Sequence, residues 1–286
     1  MRAYLDCFPC FLRQTIETSR LITSDEKKIR HIINRVSLLF PDISSEATPP
    51  EIGREVYRII RDETGVIDPY NDIKKKCIEQ ALSLYPEMKK IINSSEDRLL
   101  TAIKLSIAGN IIDFGANPDF ELKKDINEIL VQKLNISHYQ EFCKILKKTK
   151  RILYLADNAG ETVFDRLLIE ELKKPVIYAV REKPIINDAT REDAYLSGIH
   201  EVAEVISTGC DAPGTILKFC SNEFLEIYKN SDLIISKGQG NYEGLSDEPR
   251  PIFFLLKAKC SIIAQDTGVE QGDVMLLKAK NYLIYQ

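Results

Sequence analysis

Asp157 and Asn158 stand side by side where an apolar run, Ile152 to Ala156, gives way to Gly160 and an amphipathic stretch from Glu161. An acid and an amide at such a junction admit two readings. They can be turn and cap chemistry, for which both types are suited. They can equally be half of a cation site beyond the carboxyl end of a buried parallel strand. Comparable junctions recur along the chain. The second apolar run leads to Asn187, Asp188, Thr190 and Asp193, and the third to Ser207, Thr208, Gly209 and Asp211. The fourth delivers Ser236, Lys237, Gly238, Gly240 and Asn241, and the fifth Asp266, Thr267 and Gly268. At one sheet edge these groups make a crevice of hard oxygen donors with one ammonium. Two carboxylates and an amide oxygen suit Mg²⁺ or Mn²⁺ and leave room for water and substrate. A cation there polarises a phosphoryl oxygen and acidifies a bound water. Lys237 offers a point charge to phosphate. Helix starts expected after residues 160, 188 and 213 add backbone N–H donors. Glu161, Asp193, Asp211 and Asn241 are expected to face the substrate.

Each group also has a plain structural role open to it. Asp157 and Asn158 can cap the helix that begins near Glu161. Thr190 with Asp193 fits a T-x-x-D capping box, which leaves Asp188 unexplained. Asp211 can be a helix-entry residue, Asp266 a strand-end turn, and Lys237 a surface group. Some chemistry is excluded outright. The chain has no G-x-x-x-x-G-K-[ST], no G-x-G-x-x-G after the first strand and no G-x-S-x-G elbow. His31, His138 and His200 are far apart in sequence and read as surface or core residues. An aspartyl-phosphate route would want a second acid two places after Asp157, where Ala159 stands; direct attack by a metal-activated water is favoured.

The elements that must position these residues fall into two halves. Residues 11–22, 26–40, 50–64, 71–92, 96–112 and 120–148 carry apolar residues at helical spacing, with prolines between or within them. From residue 151 the period changes. "RILYLA", "PVIYAV", "EVAEVIST" and "SDLIISKG" are strand-like and separated by amphipathic stretches. "EPRPIFFLLKA" then takes a helix slot, "CSIIAQ" the fifth strand slot, and "DVMLLKAK" closes the series. Alternation with strands apolar throughout predicts an α/β fold: a doubly wound, mostly parallel, Rossmann-like sheet preceded by an all-helical N-terminal domain. The expected division is a helical domain over 1–147 and a metal- and phosphate-binding α/β domain over 148–286.

Bulk properties narrow the class. The 286 residues are 44% hydrophobic and 29% charged with net charge −4, an ordinary globular composition that calls for no nucleic-acid partner. No stretch reaches the ~18 apolar residues that span a bilayer, so no membrane partner is expected. MRAYLDCFPC has no apolar signal core. Seven scattered cysteines fit a reduced, cytoplasmic protein.

Five segments together carry a resemblance: "DCFPC" at 6–10, "AGNIIDFG" at 108–115, "LADNAGE" at 155–161, "INDAT" at 186–190 and "SKGQGNYEGL" at 236–245. With them the whole chain resembles the metal-dependent damage-control phosphatases, catalogued as domain of unknown function 89. The resemblance implies Asp157, Asn158 and Asp188 as metal ligands and Lys237 as the phosphate-binding lysine, with Asn241 nearby. It implies hydrolysis of phosphate monoesters, sugar phosphates or damaged phospho-metabolites, with Mn²⁺, Co²⁺, Ni²⁺ or Mg²⁺. Gln239 stands where the eukaryotic branch has an acid, so that branch's substrates do not transfer. Cys7-x-x-Cys10 is similar to the prokaryotic branch. With no second C-x-x-C or C-x-x-H for a zinc site and no βαβ context for a redox motif, the pair reads as structural or weakly metal-related near the first helix start, with a disulfide within the pair as the alternative.

Asn110 and Asp113, three apart on an apolar helix, either reach over the crevice or serve as a buried partner and cap. Two other functions use the same crevice. One is a non-catalytic sugar-phosphate or nucleotide sensor. The other is a carboxyl methyltransferase, for which "DNAGE" is a poor adenosyl-cofactor turn.

Overall fold

In the computed structural model, residues 1–110, 126 and 128–282 are described. Five helices open the chain: α1 (Cys7–Ile22), α2 (Glu26–Ser37), α3 (Pro49–Thr64), α4 (Asn71–Ser94) and α5 (Arg98–Gly109). Local chemistry sets their ends. Thr48 and Glu51 form a capping box ahead of Pro49 and Pro50, and Gly65 terminates α3 with φ 73°. Asp25 and Asp97 cap α2 and α5 through their carboxylates.

The remainder builds a seven-stranded sheet. Its strands are β1 (Ile136–Ser137), β2 (Ile152–Leu155), β3 (Val176–Val180), β4 (Glu204–Ser207), β5 (Leu233–Lys237), β6 (Ile252–Lys257) and β7 (Val274–Lys278). Between them run α6 (Tyr139–Lys148), α7 (Thr162–Leu172), α8 (Arg191–Leu196), α9 (Asn222–Asn230), α10 (Gly238–Leu245) and α11 (Ser261–Thr267). The order is β1-β7-β6-β5-β2-β3-β4, parallel except for the β6–β7 pair. Chain order reverses between β2 and β5, so the crevice of this doubly wound sheet lies beyond those two strand ends.

Alternating side chains cover both faces. Ile152, Tyr154, Tyr178, Ile235 and Phe253 pack beneath α4, α5, α6 and α7. Leu153, Leu155, Ile234, Phe254 and Met275 pack beneath α9, α10 and α11. A third apolar cluster joins α1, α2 and α3 to Ile185, in the loop after β3. That contact seats the first three helices over the strand ends. Residues before position 148 also supply β1 at one sheet edge and the α4–α5 pair against α7.

Three expectations are corrected. The helix expected over 120–148 is interrupted: Ile136–Ser137 pairs with β7, and only Tyr139–Lys148 of the stretch around it forms α6. Asn135 and His138 donate backbone N–H groups to Val274 and Leu276, so the open edge of β7 captures this segment. The fifth strand slot is misplaced by one element. Ile252–Lys257 is β6, buried on both faces, and "SIIAQDT" is α11, ended by Gly268 at φ 76°. A five-residue apolar run preceded by Pro251 favours a central strand over a helix, because both of its sides must be covered. The helix start after residue 213 is absent; a short 3₁₀ turn at Leu217–Phe219 precedes α9.

Candidate active site

β2 delivers Asp157 and Asn158 to the switch point. Their backbone is stitched to the loop after β3: Ala189 N–H donates to the Asp157 carbonyl at 2.7 Å, and Ala159 N–H to the Asn187 carbonyl at 2.8 Å. Asn158 and Asp188 form an isolated bridge. The two carboxylates, of Asp157 and Asp188, are thus held beside each other, 8% and 3% exposed. The loop bearing Asp188 contains Ile186 at φ 46°, a costly conformation for a β-branched residue.

Burial, and then the neighbouring Asp188, push the Asp157 carboxyl up to about 6. Burial does the same to Asp188, up to about 6, against the opposing pull of Arg181. Arg181, which directly follows β3 and is buried, donates from Nε to Asp188 Oδ2 at 2.7 Å and lies 3.9 Å from Asp157 Oδ1. Its other nitrogens donate to Thr215 Oγ1 and Asn241 Oδ1, both at 3.2 Å.

Asn110, the residue that ends α5, donates Nδ2 to Asp157 Oδ2 and to Glu161 Oε1, each at 2.8 Å, and its buried Oδ1 has no hydrogen-bond partner. Glu161 also accepts the Asn158 backbone N–H at 2.6 Å. Lys237 completes this hub from behind. Its ammonium donates to Glu161 at 2.7 Å, Asp165 at 2.6 Å and the Ser106 carbonyl at 3.0 Å, and it is 0% exposed. Burial works against that charge, but Asp165 and Glu161 outweigh it and hold the Lys237 pKa above its ordinary value. Asp165 in turn accepts from Ser106, Tyr154 and Tyr178.

The other expected site residues separate into walls and scaffold. A cleft of ≈ 630 Å³ between α1 and the strand ends is lined by Asp157, Asn158, Asp188, Cys7, Cys10 and Lys259, among others. Lys237, Asn241, Glu161, Asp193 and Asp211 do not line it. The Lys237 ammonium, expected to bind phosphate, is buried behind the cleft wall with all three of its donors used internally. Asn241 is fully engaged, donating to the Ala156 and Lys237 carbonyls and accepting from Thr215. Asp193 closes the capping box of α8 and binds the Lys74 ammonium at 3.0 Å. Asp211 pairs with Arg54. Asp266 sits on α11, where Tyr242 and Lys280 bind it. Asp113 lies outside the described residues.

Two residues that sequence reasoning passed over belong to this site. Arg181 follows "YAV" directly, and an arginine ending a buried strand is itself a signal. Lys259 was hidden by the misplaced fifth strand. It follows β6, lines the cleft, and draws down the pKa of both Asp157 and Asp188 through its charge.

A glycine keeps the acid pair accessible. Gly238 has φ 75°, and a Cβ built there would lie 1.9 Å from Asp157 Oδ2. Gly238→Ala is therefore expected to displace Asp157 as well as strain the backbone. Its melting temperature should fall, and the stabilisation expected of the parent with Mn²⁺ should vanish; thermal denaturation of both proteins with and without Mn²⁺ checks this. A variant that melts like the parent and retains the Mn²⁺ shift would contradict it.

A family model described as the damage-control phosphatase ARMT1-like domain matches residues 3–275. A protein of Methanocaldococcus jannaschii is 39% identical over 286 residues, which cover 96% of this chain and 94% of that one. A damage-control phosphatase of Pyrococcus horikoshii is 35% identical over 288 residues, 98% of this chain and 99% of the relative. The crystal structure of a P. horikoshii protein of the family named domain of unknown function 89 matches with a TM-score of 0.92 at 33% identity, covering 98% of this chain and 100% of that one. With nearly its whole length matched, the chain belongs to the damage-control phosphatase ARMT1-like family.

Proposed function

We propose that this protein is a metal-dependent phosphatase that hydrolyses phosphate monoesters of small metabolites by direct attack of water. One observation carries the reading: two buried carboxylates stand side by side at the switch-point cleft, each with one oxygen tied down and the other without a hydrogen-bond donor among the described residues. The single Arg181 guanidinium beside the pair leaves one negative charge unbalanced, which favours a further cation in the cleft. The donors fit a hard divalent ion: Asp157 and Asp188 carboxylates with the Asn158 amide, in the same cleft. No group of three His, Cys, Asp or Glu converges among the described residues, so the ion would rest on these two acids, the amide and solvent. Mn²⁺, Co²⁺, Ni²⁺ and Mg²⁺ are the proposed choices.

The chain's own residues divide the work. When bound, the cation acts as a Lewis acid that polarises the phosphoryl group and lowers the pKa of the attacking water. Arg181 keeps Asp188 ionised and aimed, and Asn110 does so for Asp157. Glu161 fixes the Asn158 backbone. Lys259 supplies the point charge for the non-bridging phosphate oxygens, and the N-terminus of α10 adds backbone donors. The names of relatives support the class of reaction, a damage-control phosphatase. Residues 148–286 are proposed to hold most of this machinery, with α1 forming the opposite wall. Seven free thiols support a reducing, cytoplasmic setting, and no helix among the described residues is long and apolar enough to cross a membrane.

The test is phosphate release from p-nitrophenyl phosphate and a sugar-phosphate panel, with each metal and with EDTA. Metal-dependent turnover is expected, and Lys259→Ala should lower kcat/KM on the order of 10²-fold, the share of one electrostatic contact to the reacting phosphoryl group. Ligand-induced stabilisation without any phosphate release would identify a sensor instead.

A further inference from the structure

The cleft holds one buried acid that cation binding leaves unused. Glu243, on α10, lines the same cleft as Asp157 and Asp188 and is 8% exposed. Among the described residues its carboxyl accepts a single hydrogen bond, from Gln239 Nε2 at 2.8 Å on Oε1. Both residues belong to α10, one turn apart, so Gln239 fixes the carboxyl's direction. Hydrolysis of an alkyl phosphate needs a proton at the departing oxygen, since an alkoxide is a poor leaving group. Asp157 and Asp188 are committed to the cation and Lys259 to phosphate. The three histidines are not among the cleft residues.

We propose that Glu243 is the general acid of the reaction, donating its carboxyl proton to the leaving oxygen of alkyl phosphate substrates. The step rests on the hydrolase reading above. The water oxygen forms the new bond to phosphorus as the bond from phosphorus to the alcohol oxygen breaks. That oxygen takes the electron pair and the Glu243 proton, and the proton lost by the water passes to solvent, from which Glu243 is recharged. The groups facing Glu243 are the Met1 ammonium, the Cys7 thiol and Asp157. Burial first, tempered by Gln239 and the ammonium and raised again by Asp157, lifts the carboxyl up to about 7. Burial thus favours the protonated form that the role requires, and its share of the rate should fade as pH rises.

The experiment compares two leaving groups on the full chain with Mn²⁺. p-Nitrophenolate departs readily without a proton; a sugar alkoxide does not. Glu243→Gln should lower the ratio of kcat on a sugar phosphate to kcat on p-nitrophenyl phosphate by about 10²-fold or more. It should also remove the alkaline decline of kcat expected with the sugar phosphate. Glu243→Asp, with the carboxyl drawn back by one methylene, should give an intermediate ratio, and it serves the same comparison if the Gln variant fails to fold. Equal losses on both substrates, or an unchanged ratio, overturn the assignment. A parent protein inactive on both would instead overturn the hydrolase reading.

Discussion

Lys237→Met should be the most destabilising single change near the site. The substitution keeps a linear side chain but removes the ammonium, leaving Glu161 and Asp165 buried and both 0% exposed. Breaking a buried ion pair by deleting one partner costs about 3–5 kcal/mol, because the remaining charge is uncompensated. Urea denaturation should report a loss of this size, with the midpoint shifted and the slope unchanged. Adding Glu161→Gln and Asp165→Asn to Lys237→Met neutralises the stranded carboxylates and should recover much of the loss. Activity is expected to suffer too, through the Glu161 contacts to Asn158 and Asn110 rather than through a lost phosphate contact. The outcome that would sink this reading is a Lys237→Met protein of parental stability with a selective rise in KM. That pattern would put the ammonium on the substrate. Lys259→Ala is the counterpart: exposed and without an ion pair among the described residues, it should affect turnover with little change in stability.

Asp157→Asn carries the largest expected effect on activity. The amide preserves size while deleting one of the two charges that would hold the cation. On the proposed mechanism that ion supplies several kcal/mol of transition-state stabilisation, so kcat/KM should fall on the order of 10³-fold or more at ~1.4 kcal/mol per decade. Stability in EDTA should move the other way. With no cation bound, Asp157 is a buried charge beside Asp188, and its neutralisation relieves repulsion. The melting temperature in EDTA should equal or exceed the parent's, and the Mn²⁺-dependent rise should be lost. Loss of activity with an intact Mn²⁺ shift would place the cation elsewhere.

Both experiments bear on how much the sequence alone determined. Alternation of apolar strands with amphipathic helices determined the α/β class, because a strand buried on both faces has no polar side to display. The same logic placed Asp157, Asn158 and Asp188 at strand ends, and tertiary structure brought them together. The sequence could not say which way Lys237 points. It ends β5, but Glu161 and Asp165 lie behind the strand on α7 and its entry, and an ammonium in a dry interior goes to the carboxylates that neutralise it. Asn241, Asp193 and Asp211 likewise look like open polar groups in the sequence and are consumed by partners distant in the chain: Thr215, Lys74 and Arg54.

Lys259 was invisible for a different reason. A short apolar run such as "IFFLLK" has no period that separates a buried strand from a buried helix, and the next segment, "SIIAQDT", carries a short apolar run of its own. Only sheet pairing on both sides, to β5 and β7, decides that the first is the strand. Once it does, the residue two places beyond that strand arrives at the cleft. Local sequence thus determined which residues could bind a cation, while long-range pairing decided which lysine lines the cleft and which is spent holding the site together.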